Sequence, residues 1–383
     1  MKVVVAMDSF KGCMTSLKAA KQVEAGIKMY DQNIEVVKFP IGDGGEGTLQ
    51  AFHSLCNGEL VWVNTTDAYG KKIESCYSLI DNGQTAVMEV ANIIGLSMHD
   101  RSRRDPLHGS SYGVGTVLLD AYNKGVKKII IGLGGSATND CGLGLLQCLG
   151  ARFYDVDHQY LSPMALNLEN VKYIDFNRLQ KFEGVEIIAA CDVKNHLLGE
   201  DGATYTFGKQ KGLYPNQMKQ LEEGMYNFRF QVSRYMKIDL NEYEGGGAAG
   251  GLGAILMGIF NAKMIPGIDL LVSYSNLKEE IATCDLVITG EGQSDYQTMY
   301  GKVPVGILNI AKEFDKPVLC LSGALGLGYM DLYQLGFIGI YSIADRAMTF
   351  QQALDGAGDK LMNASYSLMA TLHGFNSINV RNS

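Results

Sequence analysis

The sequence lacks the patterns that build disulfide frameworks and transition-metal sites. Its eight cysteines (Cys13, Cys56, Cys76, Cys141, Cys148, Cys191, Cys284, Cys320) include no C-x-x-C pair and sit mostly in apolar runs. They read as reduced core residues of a cytoplasmic protein. The six histidines show no H-E-x-x-H or other paired spacing, which argues against a transition-metal centre. A G-x-x-x-x-G-K-[ST] string is missing, so the chain is not a Walker-type ATPase. Positive charge is also in short supply: 33 Lys and Arg face 41 Asp and Glu, a net charge of −8. Neither nucleic acid nor an anionic membrane would be drawn to such a surface. A small anionic substrate would need a local cationic pocket, so particular lysines should matter. The chain opens on Lys2-Val3-Val4-Val5-Ala6, a strand instead of a signal peptide. The uncharged window 245–262 is crowded with glycines and reads as a buried loop followed by a core helix, not a membrane span.

What the sequence does hold is a folded composition, 46% hydrophobic over 383 residues, long enough to favour two domains. Residues 3–7 form an apolar strand pattern ending in Asp8-Ser9-Phe10-Lys11-Gly12, with Ser16 as a cap for a helix to about residue 29. Residues 34–39 repeat the pattern, ending in the glycine-rich loop that carries Asp43 and Glu46. Residues 60–96 alternate like strands with no helix between them, and Arg101, Arg103 and Arg104 read as a solvated basic face. Residues 194–212, with four glycines plus Lys209 and Lys211, read as an irregular loop of functional length. From residue 277 the strand–loop–helix rhythm returns, with residues 290–301 as a loop.

The expected fold is therefore α/β: a Rossmann/flavodoxin-like parallel-sheet domain made of N- and C-terminal segments, interrupted by a second, β-richer α/β domain. The expected boundaries are 1–63, about 106–150 and about 280–383 for the first domain, and about 64–105 and 151–279 for the second. In open α/β sheets, ligands bind beyond the carboxyl ends of the strands. Five such ends carry glycines together with polar groups: Asp8/Lys11, Asp43/Glu46, Ser136/Asn139/Asp140, Asp192 and Glu291/Asp295. Each alone is explicable as turn chemistry. Together they supply cradles, carboxylates for a hard cation such as Mg²⁺, and lysines, which are the parts that phosphoryl transfer needs. A rival reading is an NAD(P)-binding oxidoreductase, because Gly132 to Ala137 fits G-x-G-x-x-A after a strand, with Asp155 or Asp157 about 20 residues on. A non-catalytic ligand-binding protein is a third.

Six strings, read together, closely resemble the bacterial type-1 glycerate kinase family: DSFKG from Asp8, DGGEGT from Asp43, GGSATND from Gly134, ATYTFGKQKG from Ala203, GAAGGLG from Gly247 and ITGEGQSD from Ile288, the last followed by Gln297-Thr298 and Gly301-Lys302. The resemblance spans nearly the whole chain. It implies ATP-dependent, Mg²⁺-assisted phosphorylation of D-glycerate, most members giving 2-phosphoglycerate, with 3-phosphoglycerate as the alternative product. It also implies an active site in the cleft between two domains. A cytoplasmic monomer or homodimer is expected. His196, Lys209 and Gln293-Ser294 depart from the family's usual residues.

The expected site follows from both readings. Lys11 and Lys302 neutralise phosphate or the substrate carboxylate, and Asp43, Glu46, Glu291 and Asp295 hold Mg²⁺ directly or through water. Ser9, Ser136, Thr138, Asn139, Asp140 and Lys211 contact substrate or nucleotide. Asp192, following a buried strand, is the expected general base, with Asp8 as the reciprocal choice.

Overall fold

The computed structural model describes the chain over residues 1–381. The chain divides into two compact units, the first made of Met1–Asp43 with the segment from Ile268 onward, the second of Gly44–Gly267. The strands in chain order are β1 (Lys2–Met7), β2 (Glu35–Pro40), β3 (Glu59–Thr66), β4 (Lys72–Ile80), β5 (Thr85–Glu89), β6 (Lys128–Gly132), β7 (Arg152–Tyr154), β8 (Tyr173–Asp175), β9 (Glu186–Ala190), β10 (Lys263–Ile265), β11 (Leu286–Ser294), β12 (Val318–Leu325) and β13 (Gly339–Ser342).

In the first unit the order across the sheet is β13-β12-β11-β1-β2, and every pair is parallel. Counted within the unit alone, that is the flavodoxin-like order 2-1-3-4-5. Val3 to Met7 are all fully buried, as expected of a parallel strand covered on both faces. On one face Val3, Val5, Met7 and Ile288 pack with Ala19, Val23 and Ile27 of the helix Ser16–Tyr30 and with Leu361 and Leu368 of the helix Ala357–Arg381. The N-cap of the first helix is Thr15, whose hydroxyl accepts from the Lys18 N–H at 3.2 Å, one residue earlier than the expected Ser16.

The second unit is built on a six-stranded mixed sheet of order β10-β9-β6-β5-β4-β3. Strands β5, β6, β9 and β10 run parallel, and β4 and β3 extend the sheet antiparallel from β5. This corrects the expected boundaries. Residues 106–150 belong to this unit, because β6 lies between β5 and β9. The helix Thr48–Leu55 belongs here too, with Leu49 in this unit's core, whereas 268–279 belong to the first unit. A run such as Ile129-Ile130-Ile131 specifies a buried parallel strand without specifying which sheet buries it.

Two local readings also change. Part of the expected irregular loop 194–212 is the helix Ala203–Lys211, closed by Gly212 at φ 110°. Gly202 and Gly212 cap the two ends of that helix, and Gly208 lies within it. The window 245–262 is a buried turn and then a helix: the backbone at Ala249, Gly250 and Gly251 is left-handed before regular helix to Phe260. Among the described residues no helix is long and apolar enough to cross a membrane.

The contact between the first unit's two long helices turns on Gly26. A Cβ there would lie 2.2 Å from the Met362 carbonyl oxygen and 2.8 Å from Ser365 Cβ. In an open helix Gly→Ala stabilises by about 0.5–1 kcal/mol. Here Gly26→Ala should instead destabilise by about 1–3 kcal/mol through overpacking. Urea unfolding reads the sign directly, and a raised midpoint would contradict the packing.

Candidate active site

In a sheet of order 2-1-3-4-5 the crevice opens between the first and third strands, where the connections depart to opposite sides. Those strands are β1 and β11, and a cavity of about 320 Å³ lies at their carboxyl ends. Asp8, Ser9 and Lys11 enter it from the loop after β1, Glu291 from β11, and Asp43 and Lys302 from the adjoining loops. Residues 290–294 are strand, not the expected loop, because β12 runs on beside them and pairs Glu291 with Ser322 and Ser294 with Leu325. Neighbouring ladder bonds override the turn preference of the two glycines.

The polar end of this cavity concentrates charge. Asp8 is buried, and its Oδ1 accepts from the Ser9 N–H at 2.6 Å. Burial, then the neighbouring Asp43 charge, hold its carboxyl well above the usual range, with Lys11 opposing. The Lys11 ammonium lies 3.0 Å from Asp43 Oδ2, and that carboxylate raises its pKa. Glu291 is raised by burial, although Thr298 Oγ1 and Ser294 Oγ donate to its Oε1 at 2.7 and 3.0 Å and Lys302 Nζ stands 3.6 Å from Oε2. Ser9 Oγ is buried without a hydrogen-bond partner. Asp295 does not line this cavity. Its carboxylate accepts from the Gln297 N–H at 2.9 Å and from Gln293 Nε2 at 2.9 Å, which is capping duty. Glu46 belongs to the second unit and is exposed.

The second unit gathers the other candidates at the carboxyl ends of β6 and β9. The backbone after β6 fits against the DGGEGT loop: Gly134 N donates to Gly44 O at 2.9 Å, and a Cβ on Gly134 would lie 2.5 Å from Gly45 Cα. Only glycine allows that approach. Lys211 Nζ donates to Ser136 Oγ at 3.1 Å and to the Thr138 carbonyl at 2.6 Å, tying the helix Ala203–Lys211 to this loop. Asp140 Oδ2 accepts from Ser111 N and Oγ at 2.7 and 2.8 Å and from Gly144 N at 3.0 Å. Burial raises the Asp140 carboxyl and these donors oppose the rise. Asn139 Nδ2 donates to Thr204 Oγ1 at 3.4 Å. Three consecutive side-chain oxygens, Thr138 Oγ1, Asn139 Oδ1 and Asp140 Oδ1, are buried with no hydrogen-bond partner. Buried polar atoms are ordinarily paired, so such a run marks a place where a ligand can supply the partners. Asp192, just past β9, accepts from the Gly267 N–H at 3.0 Å.

The geometry argues against the dinucleotide reading with Asp155 as its acidic residue. The helix after the glycines begins only at Leu143, and Asp155 is occupied in a turn, accepting from Asp157 N at 2.9 Å and Gln159 N at 2.8 Å. A dinucleotide site needs the helix N-terminus directly behind the glycines and the acidic residue free for a ribose.

The sequence matches the glycerate kinase family over residues 3–373. The chain belongs to the glycerate kinase family. It is 36% identical to the glycerate kinase of Halalkalibacterium halodurans, with 98% of each chain covered. It is 35% identical to the glycerate 2-kinase of Escherichia coli (strain K12), covering 97% of this chain and 98% of that one. A crystal structure of a glycerate kinase 2 candidate from Salmonella typhimurium LT2 superposes with a TM-score of 0.83 at 36% identity, covering 98% of this chain and 99% of that one. As a member of this family the chain is an enzyme, a phosphotransferase with an alcohol acceptor.

Sequence reasoning missed three residues that shape this kinase's loops. Glu89, at the end of β5, accepts from Gly47 N at 3.3 Å and Leu49 N at 2.9 Å, capping the helix that follows the DGGEGT loop. Ser111 holds Asp140. Arg104, expected on a solvated face, donates to the carbonyls of His99, Gln210 and Leu96, bracing the residue before Lys211. A carboxylate at a strand's carboxyl end was a readable signal for Glu89; nothing local marks the other two. Of the departures from the family pattern, Lys209 is exposed on its helix, and His196 Nδ1 lies 2.9 Å from the Asn241 carbonyl.

Burial lowers the Lys211 amine to about 7. The unfolded chain therefore binds this proton more tightly than the folded one between about 7 and the ordinary value of 10.5, and stability from this group rises with pH across that window. Lys211→Met should lack that rise. Denaturant unfolding of both proteins between neutral and alkaline pH checks it, and parallel curves would show the amine to be charged when folded.

Proposed function

We propose that this kinase transfers the γ-phosphoryl group of ATP to D-glycerate, giving 2-phosphoglycerate, with Mg²⁺ as its metal. The observation that carries the proposal is one cavity at the carboxyl ends of β1 and β11, in which carboxylates and lysines stand side by side. The glycerate 2-kinase name of the Escherichia coli relative supports the 2-position of transfer.

The donor set suits Mg²⁺ in kind, because Asp43 and Glu291 offer carboxylate oxygens in one cavity. Among the described residues no three His, Cys, Asp or Glu side chains are placed to enclose a metal. Mg²⁺ takes one or two carboxylates and completes its shell with water and substrate phosphate. When bound, it would neutralise phosphate charge. Asp295 and Glu46 drop out of this ligand set, given the capping bonds of the one and the exposure of the other.

Lys11 and Lys302 would bind the phosphate oxygens, each standing next to a carboxylate. Asp8 is the better choice for general base than Asp192. Its raised pKa makes its carboxylate the stronger base toward the acceptor hydroxyl, whereas Asp192 anchors the Gly267 backbone. Ser136, Thr138, Asn139, Asp140 and Lys211 would serve the acceptor, the unpaired oxygens of three of them receiving its hydroxyls. Ser9 Oγ, unpaired in the cavity, would serve a phosphate.

Two measurements test this reading. Coupling turnover to enolase without phosphoglycerate mutase should give signal at once, since 2-phosphoglycerate feeds enolase directly; a signal that waits for the mutase would make 3-phosphoglycerate the product. Asp8→Asn should lower kcat by about 10²–10⁴-fold, the usual worth of a general base. Asp192→Asn should cost less than about tenfold, under roughly 1.4 kcal/mol of barrier. In the parent enzyme kcat/KM should fall as acidification protonates Asp8, at a pH above the ordinary Asp value of 3.8. The reverse ranking of the two variants would return the base role to Asp192.

A further inference from the structure

The cavity of the first unit has a second end that phosphate chemistry leaves unused. Besides Asp8, Lys11 and Glu291 it is lined by Ile343, Met348, Phe350, Ala353, Leu354 and Ala357. We infer that this apolar end is the slot for the purine base of the phosphoryl donor, so that the nucleotide lies with its phosphates on Lys11 and Lys302 and its base against residues 343–357. The inference rests on the reading of the polar end as the phosphate site.

Three observations lead to a base. First, the two ends belong to one cavity of about 320 Å³, within the usual size of small-molecule sites, about 300–1,000 Å³. A three-carbon acid has nothing to fill an apolar end, whereas a nucleotide is charged at one end and flat and weakly polar at the other. Second, Phe350 lines the cavity yet is 79% exposed, leaving an aromatic face for a base to stack on. Third, the wall is held in place. Thr349 caps the helix Phe350–Asp355 through a reciprocal pair, Gln352 N to Thr349 Oγ1 at 3.3 Å and Thr349 N to Gln352 Oε1 at 2.9 Å. Cys13 Sγ donates to the Leu354 carbonyl at 3.2 Å, and the buried Lys360 donates to the Gln352 carbonyl at 3.0 Å. A wall fixed from both sides loses little freedom when a ligand docks.

The test is calorimetric titration of the full-length protein with Mg²⁺-ADP and, separately, with inorganic tripolyphosphate, which has the charge but no base. Ala353→Trp fills the slot from a half-buried position; Phe350→Ala removes the stacking face from an exposed position and spares the fold. Expected are a loss of ADP affinity of at least tenfold in Ala353→Trp and at least threefold in Phe350→Ala. Tripolyphosphate affinity and the KM for glycerate should stay within twofold in both. Unchanged ADP affinity in both variants, or equal weakening of ADP and tripolyphosphate, would overturn the inference while leaving glycerate turnover as its own test. Absent glycerate turnover with ADP binding lost selectively in the variants would instead sink the proposed acceptor and keep the slot.

Discussion

The parallel pairing of β1 with β11 is the constraint on which the first unit's site depends. It sets Val3 beside Leu286 and carries the register to Met7 beside Gly290, so that Asp8 N donates to the Gly290 carbonyl at 2.9 Å. With that register Asp8 and Glu291 emerge at the same edge of the sheet. The strands can pair because both are apolar enough to be buried on two faces, and because the 2-1-3-4-5 order puts the reversal of strand order between them. Each strand alone presents a loop; paired, they present a cavity.

Charge in that cavity is costly, and the structure offsets it locally. Burying a carboxylate disfavours its ionised form unless donors or cations surround it. Glu291 has two hydroxyl donors and a lysine, and Asp43 has the Lys11 ammonium. Asp8 has the Ser9 N–H as a donor and two acidic neighbours, and burial followed by the Asp43 charge drives it well above its ordinary pKa. Burial first and the like charge of Asp43 second are thus what raise the carboxylate suited to proton transfer. The second unit solves a related problem differently. There Asp140 spends one oxygen on three donors and keeps the other unpaired, and Lys211 donates to the loop carbonyl while burial lowers its amine to about 7.

Much of this was legible in the residues. The DSFKG, DGGEGT and GGSATND strings marked strand ends correctly, and Asp8, Lys11, Asp43, Glu291 and Lys302 share one cavity. Glu46 and Asp295 carried the same loop signature without joining it, because Asp and Glu beside glycine serve turns and caps as readily as ligands. The apolar wall around Phe350 was not legible, since a cavity wall built from ordinary helix residues leaves no motif.

The strands and helices of the first and last quarters, the glycine loops and the family resemblance were determined by local sequence, because backbone preference and apolar periodicity act over a few residues. The assignment of residues 106–150 to the second sheet, the extension of β11 through Gly292 and the capture of Lys211 by the GGSATND loop were decided only in three dimensions. The physical reason is the same in each case. An isoleucine run, a glycine or a lysine is compatible with several partners, and the choice among them is made by ladder bonds and burial from segments far away in the chain.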